Sequence, residues 1–210
     1  MADNECQDAE LKLQRYLGDK WWRMNHLYHI LDKNGDDCVF RMNWFQQGLL
    51  AKIGRHTLVR NHWQMNVPMF CAINSLDECL FNDDFTAVLL ASHDSCEDYL
   101  RCLRYFWEHL PESLKVLRNM SSSTRGVTFP NGSNLYVGTS VKSLTIQCLS
   151  ISGYGLDRNQ SGDAVTAAMC AVPDNGTVIY DTYEGDEVLT RLRSYFLADG
   201  TRQDWLTKVG

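Results

Sequence analysis

The residue types that could do chemistry in this chain are scattered, and their spacing sorts them. His26-x-x-His29 sets two imidazoles three positions apart, which one helix face would offer to a metal, but Trp21, Trp22 and Tyr28 beside them favour packing. His93, Cys96 and Cys102 supply one nitrogen and two sulfurs at a spacing irregular for zinc. Asp32-Lys33-Asn34-Gly35-Asp36 starts like a calcium loop, yet its glycine comes too early and Asn43 stands at the twelfth place, where that loop needs Glu. Cys148 and Ser150 alternate in a strand-like run with no base or elbow to activate a nucleophile. Tyr105-Phe106-Trp107 reads as core rather than as a base-stacking platform. No metal is expected, and these residues alone nominate no catalytic group.

The elements that would position such groups follow from periodicity. Residues 5–31 carry helical spacing, with Leu11, Leu13, Leu17, Trp21 and Trp22 available for one face. Asn34-Gly35 between short apolar runs predicts a hairpin. A short helix over 42–52, a strand near 56–61 and a helix over 64–82 come next. FTAVLLAS (85–92) is a continuous apolar run, as a strand covered on both faces requires. Ser95-x-x-Asp98 reads as a capping box opening a helix to Leu110, whose Leu100, Leu103, Phe106, Trp107 and Leu110 share one side. Asn131-Gly132 predicts a second hairpin. LTIQCLSIS and GTVIYDTY predict two more buried strands, and a last helix is expected over 186–197. Strands alternating with helices imply an α/β domain, with ligand sites beyond the carboxyl ends of its strands.

Composition narrows the classes. The chain has 210 residues, 44% of them hydrophobic and 22% charged, enough to bury a core. Its formal charge of -6 and lack of a Lys/Arg run argue against tight DNA binding by its own field. No run is apolar enough to span a bilayer, so no membrane partner is expected. The acidic, polar opening MADNECQDAELKLQ reads as no secretory leader. The eight cysteines include no C-x-x-C pair and sit mostly among apolar neighbours, as reduced thiols in a cytoplasmic protein do. The N-x-S/T triplets at Asn119, Asn131, Asn159 and Asn175 are then chance matches in polar turns.

The order of several segments resembles the ATPase domain of the large terminase subunit of tailed phages, the motor that pumps DNA into capsids. These segments are WRMNHLYHILDKNGDDCVFRMNWFQQGLL (22–50), SLDECLFN (75–82), TAVLLASHDSCEDYLRCLRYFWEHLPESLK (86–115), FPNGSNLYVGTSVKSLTIQCLSISGYG (129–155) and YDTYEG (180–185). NGSNLYVGTS followed by a T-x-Q-x-L strand is the most specific piece. The resemblance implies a P-loop NTPase-like sheet flanked by helices over 21–185, an N-terminal helical appendage over 1–20, a C-terminal helix and tail over 186–210, and no nuclease domain.

A P-loop ATPase needs amide groups from a glycine-bearing turn, a Lys or Arg for the phosphates, and a Ser/Thr hydroxyl on magnesium. Related terminases carry a stretch like K-A-R-Q-x-G-x-T-T. Matched to it, Asn61 replaces the Lys, Trp63 the Arg and Asn66 the Gly, while Pro68 and Met69 replace both hydroxyls and Gln64 alone persists. Arg60 lies one position early. The acidic residue that the family carries after its next strand, in a pattern like H-x-S-E-F, is here Gly153. Asn43 and Gln46 match an N-x-x-Q segment that resembles the family's adenine-contacting region; read from the residues alone, they cap the 42–52 helix. Asp181 and Glu184 match its coupling segment; read alone, they belong to a strand-end turn.

With these replacements, the resemblance implies a catalytically inactive terminase-like protein of phage or prophage origin, with no cofactor. It would act by binding, as a mimic or decoy of the packaging ATPase, in the cytoplasm of an infected or lysogenic bacterium. The partner would be the packaging machinery or a host antiviral receptor. Two alternatives are a divergent or split ATPase subunit, which keeps ATP and magnesium through Arg60 or a residue from a partner, and a non-functional prophage remnant.

Overall fold

Strands whose sequences are apolar on both faces should lie at the middle of a sheet, and they do. The computed structural model describes residues 15–60, 65–117, 121–123, 125–141, 144–153, 161–182 and 203–205. In chain order its elements are α1 (Lys20–His26), β1 (His29–Leu31), β2 (Asp37–Val39), α2 (Trp44–Lys52), β3 (His56–Arg60), α3 (Val67–Phe81), β4 (Thr86–Leu90), α4 (His93–Glu108), α5 (Glu112–Leu117), β5 (Ser121–Ser123), β6 (Gly126–Thr128), β7 (Asn134–Gly138), β8 (Cys148–Ser152), α6 (Ser161–Cys170), β9 (Thr177–Thr182) and β10 (Gln203–Trp205). β1 and β2 form a separate hairpin, and the other eight strands form one sheet in the order β10-β3-β9-β8-β4-β7-β6-β5. β10 through β7 in that order run parallel, and β6 and β5 close one edge antiparallel.

Side-chain alternation divides the core into two layers. Ala87, Leu89, Cys148 and Ile179 face Phe70, Ile73 and Leu76 of α3 and Leu103 and Phe106 of α4. Val88, Leu90, Leu149, Ile151, Val178 and Tyr180 cluster with Val165, Ala168 and Met169 of α6. Filling both faces of β4, β8 and β9 takes continuous hydrophobic runs rather than alternating ones.

The amino end of this sheet is tied by a polar knot. Asn131 donates from Nδ2 to the carbonyls of Cys79 (3.0 Å) and Asn82 (2.8 Å), covering the open end of α3. Ser133 Oγ donates to the Asn82 carbonyl at 2.7 Å and accepts from the Phe85 N–H at 3.0 Å. The Asn134 N–H then reaches the Phe85 carbonyl at 2.8 Å, starting β7 beside β4. Gly132 sits at φ 82, and a Cβ there would meet the Asp84 carboxylate at 2.1 Å. The NGSN phrase is therefore a framework device.

A buried charge pair fixes α1 to α3. Arg23 donates from Nε and Nη2 to the two Asp77 oxygens at 2.9 and 2.7 Å, and the Tyr28 hydroxyl adds a bond at 2.7 Å. The guanidinium lies 4.0 Å from the Phe81 ring centroid. Burial opposes the charge on Arg23, but Asp77 more than offsets it and holds the guanidinium above its ordinary pKa. Burial first, and then Asp77, keep the Tyr28 phenol protonated.

Some expectations need correction. The N-cap of α4 is Ser92, whose side chain accepts from the Ser95 N–H; Ser95 lies inside the first turn rather than at the cap. Trp21 does not line a buried face: it is 43% exposed, while Arg23, Met24 and Leu27 turn inward. Leu11, Leu13 and the expected 186–197 helix lie outside the described residues. α5, β5, α6 and β10 had no counterpart in the sequence reading.

Candidate functional site

The carboxyl ends of β3, β8 and β9 lie side by side, where a parallel sheet places its ligands. β3 leads into α3 through 61–66, of which Asn61, Trp63 and Gln64 lie outside the described residues. Asn66 is the N-cap of α3 in the left-handed region, φ 48 and ψ 46, with no side-chain capping bond. Asn tolerates that region better than any other side-chain-bearing residue, so it can stand where a glycine would. Val67, Pro68 and Met69 form the first turn. Pro68 fits there because early helical N–H groups have no intrahelical partner, but it removes one amide from that turn. No residue from Val67 to Met69 carries a hydroxyl.

β8 ends at Ser152, followed by Gly153, which is buried and donates its N–H to the Asp181 carbonyl at 2.7 Å. Asp181 lies opposite Ser152 on one side and Val59 on the other. Arg60 pairs with Thr182, one step out of phase with Val59 and Asp181 in the ladder. Asp181 is 2% exposed. Its charge reaches Cys71 of α3, whose pKa burial and then that charge push up, and Tyr99 of α4, which is raised by burial first, then by Cys71 and by Asp181. Ser152 lies near the Tyr99 phenol and lowers its pKa against the larger effect of burial, and Ser150 sits beside the Cys71 thiol. Cys148 is raised by burial too, which makes it a poor nucleophile. Glu184 lies outside the described residues.

Asn43 and Gln46 occupy a capping box on α2: the Asn43 side chain accepts from the Gln46 N–H, and the Gln46 side chain accepts from the Asn43 N–H. Both also reach the turn before α3. Asn43 Nδ2 donates to the Met65 carbonyl at 3.2 Å, and Gln46 Nε2 to the carbonyls of Met65 and Asn66 at 3.0 and 3.1 Å. The structure thus joins Asn43, Gln46 and Asn66 in one cluster.

The remaining constellations resolve differently. His26 ends α1 and His29 opens β1, so they share no helix face. His29 meets Asp37 at 2.9 Å and stacks on His109 at 5.7 Å, and the Tyr105 hydroxyl donates to Asp37 at 2.8 Å. Asp32 caps its own turn by accepting from the Asn34 and Asp36 N–H groups. Among the described residues, no three metal-ligating side chains converge.

No protein-family model matches the chain, and no curated protein does. Solved structures do. The large terminase of bacteriophage HK97 superposes with a TM-score of 0.62 at 13% identity, over 80% of this chain and 37% of that one. The chain has the fold of the phage large-terminase ATPase domain. The ATPase domain of the Thermus phage P74-26 large terminase adds a TM-score of 0.52 at 8% identity, over 68% of this chain and 65% of that one. The chain thus spans little more than a third of the HK97 protein. At these identities the likeness is one of fold: a mostly parallel sheet flanked by helices.

Sequence reading missed Cys71, Tyr99 and Ser152 as neighbours of Asp181. The available signal was Ser150 and Ser152 alternating with apolar residues in a strand buried on both faces. A hydroxyl there faces the covering helices rather than solvent.

Proposed function

We propose that this is a phage- or prophage-encoded terminase-like protein that acts by binding a protein partner and does not hydrolyse ATP. The terminase ATPase-domain fold supports the first half. The observation that carries the second is the pair of chain positions that would share magnesium in a P-loop enzyme. The first turn of α3 reads Val67-Pro68-Met69 and the end of β8 reads Ser152-Gly153, giving neither a hydroxyl on the helix nor a carboxylate after the strand. This donor set does not fit magnesium with a nucleotide, so no step is assigned to that pair. A surface that mimics the packaging ATPase is then what remains useful, toward the packaging machinery or a host antiviral receptor. Affinity capture from infected cells tests it: recovery of terminase subunits, portal or an antiviral receptor supports the reading, and recovery of none of them overturns it.

One arrangement favours a second reading, a divergent or split ATPase subunit. Arg60 ends β3 immediately before the turn, and Asp181 brings a buried carboxylate to the end of the strand beside it. That reading requires magnesium-dependent ATP turnover that Arg60→Ala abolishes.

A further inference from the structure

We propose that Asn43 and Gln46 are positioning residues that hold the turn at the start of α3, and do not read a nucleobase. An amide recognises adenine by offering its oxygen and its NH₂ together to one base edge. Gln46 has neither to offer. Its oxygen accepts from the Asn43 N–H at 3.1 Å, and Nε2 serves the Met65 and Asn66 carbonyls. The side chain is 2% exposed. Asn43 spends its oxygen on the Gln46 N–H at 2.9 Å and one N–H on Met65.

The receiving end is equally committed. The Met65 carbonyl takes two donors, one from each amide. The Asn66 carbonyl takes Gln46 and also the Phe70 N–H, the first helical bond of α3. Asn66 has a left-handed backbone and no capping bond from its own side chain. The α2 capping box therefore supplies, from outside, the restraint that the α3 cap lacks. It fixes the direction in which α3 leaves the turn, and hence where its first-turn amides point.

Backbone hydrogen exchange tests this on the full chain, with and without millimolar ATP and magnesium. Gln46→Ala should speed exchange over 65–71 by about tenfold, the effect of removing one donor from each of the Met65 and Asn66 carbonyls. Asn43→Asp keeps a good N-cap on α2 but removes the donor to Met65, so it should loosen 65–67 by less and leave α2 unchanged. That variant keeps the test open if Gln46→Ala fails to fold. The wild-type chain should show no protection at 43–46 when ATP is added. Unchanged exchange at 65–71 in both variants, or ATP protection at 43–46 that Gln46→Ala removes, would overturn the proposal. Its failure is separable from that of the binding reading: ATP turnover by a chain whose variants still loosen 65–71 defeats the latter and spares the clamp.

Discussion

Helix α3 has two ends, and they are built differently. Its last turns meet Arg23, Tyr28 and the NGSN knot, where charges are paired and carbonyls are capped by named side chains. Its first turn offers Val67, Pro68 and Met69; Val67 is buried in the core, and the preceding backbone carbonyls take amides from α2. The knotted end fixes the fold, because burying unpaired polar groups would cost too much there. The other end, facing the carboxyl edge of the sheet, carries no hydroxyl from Val67 to Met69 and takes part of its restraint from α2. The groups that hold the fold are therefore set apart, along α3, from the turn that faces the carboxyl ends of the strands.

Substitutions can break that contrast, and the largest effect is expected at the knotted end. Asp77→Ala leaves the Arg23 guanidinium buried without its partner and should destabilise by about 3–5 kcal/mol in urea unfolding. A loss of under about 1 kcal/mol would mean that the pair does not anchor α1. Asn131→Ala uncovers the Cys79 carbonyl, removes one of two donors from the Asn82 carbonyl and should cost about 1–3 kcal/mol by thermal melting. At the other end, Pro68→Thr places a hydroxyl in the first turn and should change stability by about 0.5 kcal/mol or less. An effect there as large as that of Asn131→Ala would erase the difference between the two ends.

The hairpin contact sharpens the comparison through pH. Hydrogen bonds from His29 and then Tyr105 hold the Asp37 carboxyl below the ordinary aspartate range. A depressed carboxyl pKa contributes stability above its unfolded value, ~3.9, and that contribution is lost as pH falls through the lower folded value. Asp37→Asn should flatten the acid-side decline in melting temperature below about pH 4. An unchanged acid slope would place the dependence elsewhere.

Much of the fold was legible because its signals are local. Asn34-Gly35 and Asn131-Gly132 both turn hairpins, and the runs at 86–90, 148–152 and 177–182 are central strands. α6 escaped notice because its sequence, SGDAVTAAMC, is short, rich in small residues and weakly amphipathic, and β5 because Ser121–Ser123 has no strand-like side chains. The site was legible only as a set of positions. That Asn43 and Gln46 turn toward Met65 depends on a contact across 19 to 22 residues, which no spacing rule encodes. Asn66 in the left-handed region was foreshadowed by its match to a glycine, whereas the enclosure of Asp181 by Cys71 and Tyr99 needs the packing of α3 and α4.

The central claim is that this fold works here without an ATP engine, and steady-state ATP turnover measures it most directly. With magnesium and millimolar ATP, the purified chain should release phosphate no faster than buffer, and Arg60→Ala should behave identically. Magnesium-dependent turnover that disappears in Arg60→Ala would contradict the account.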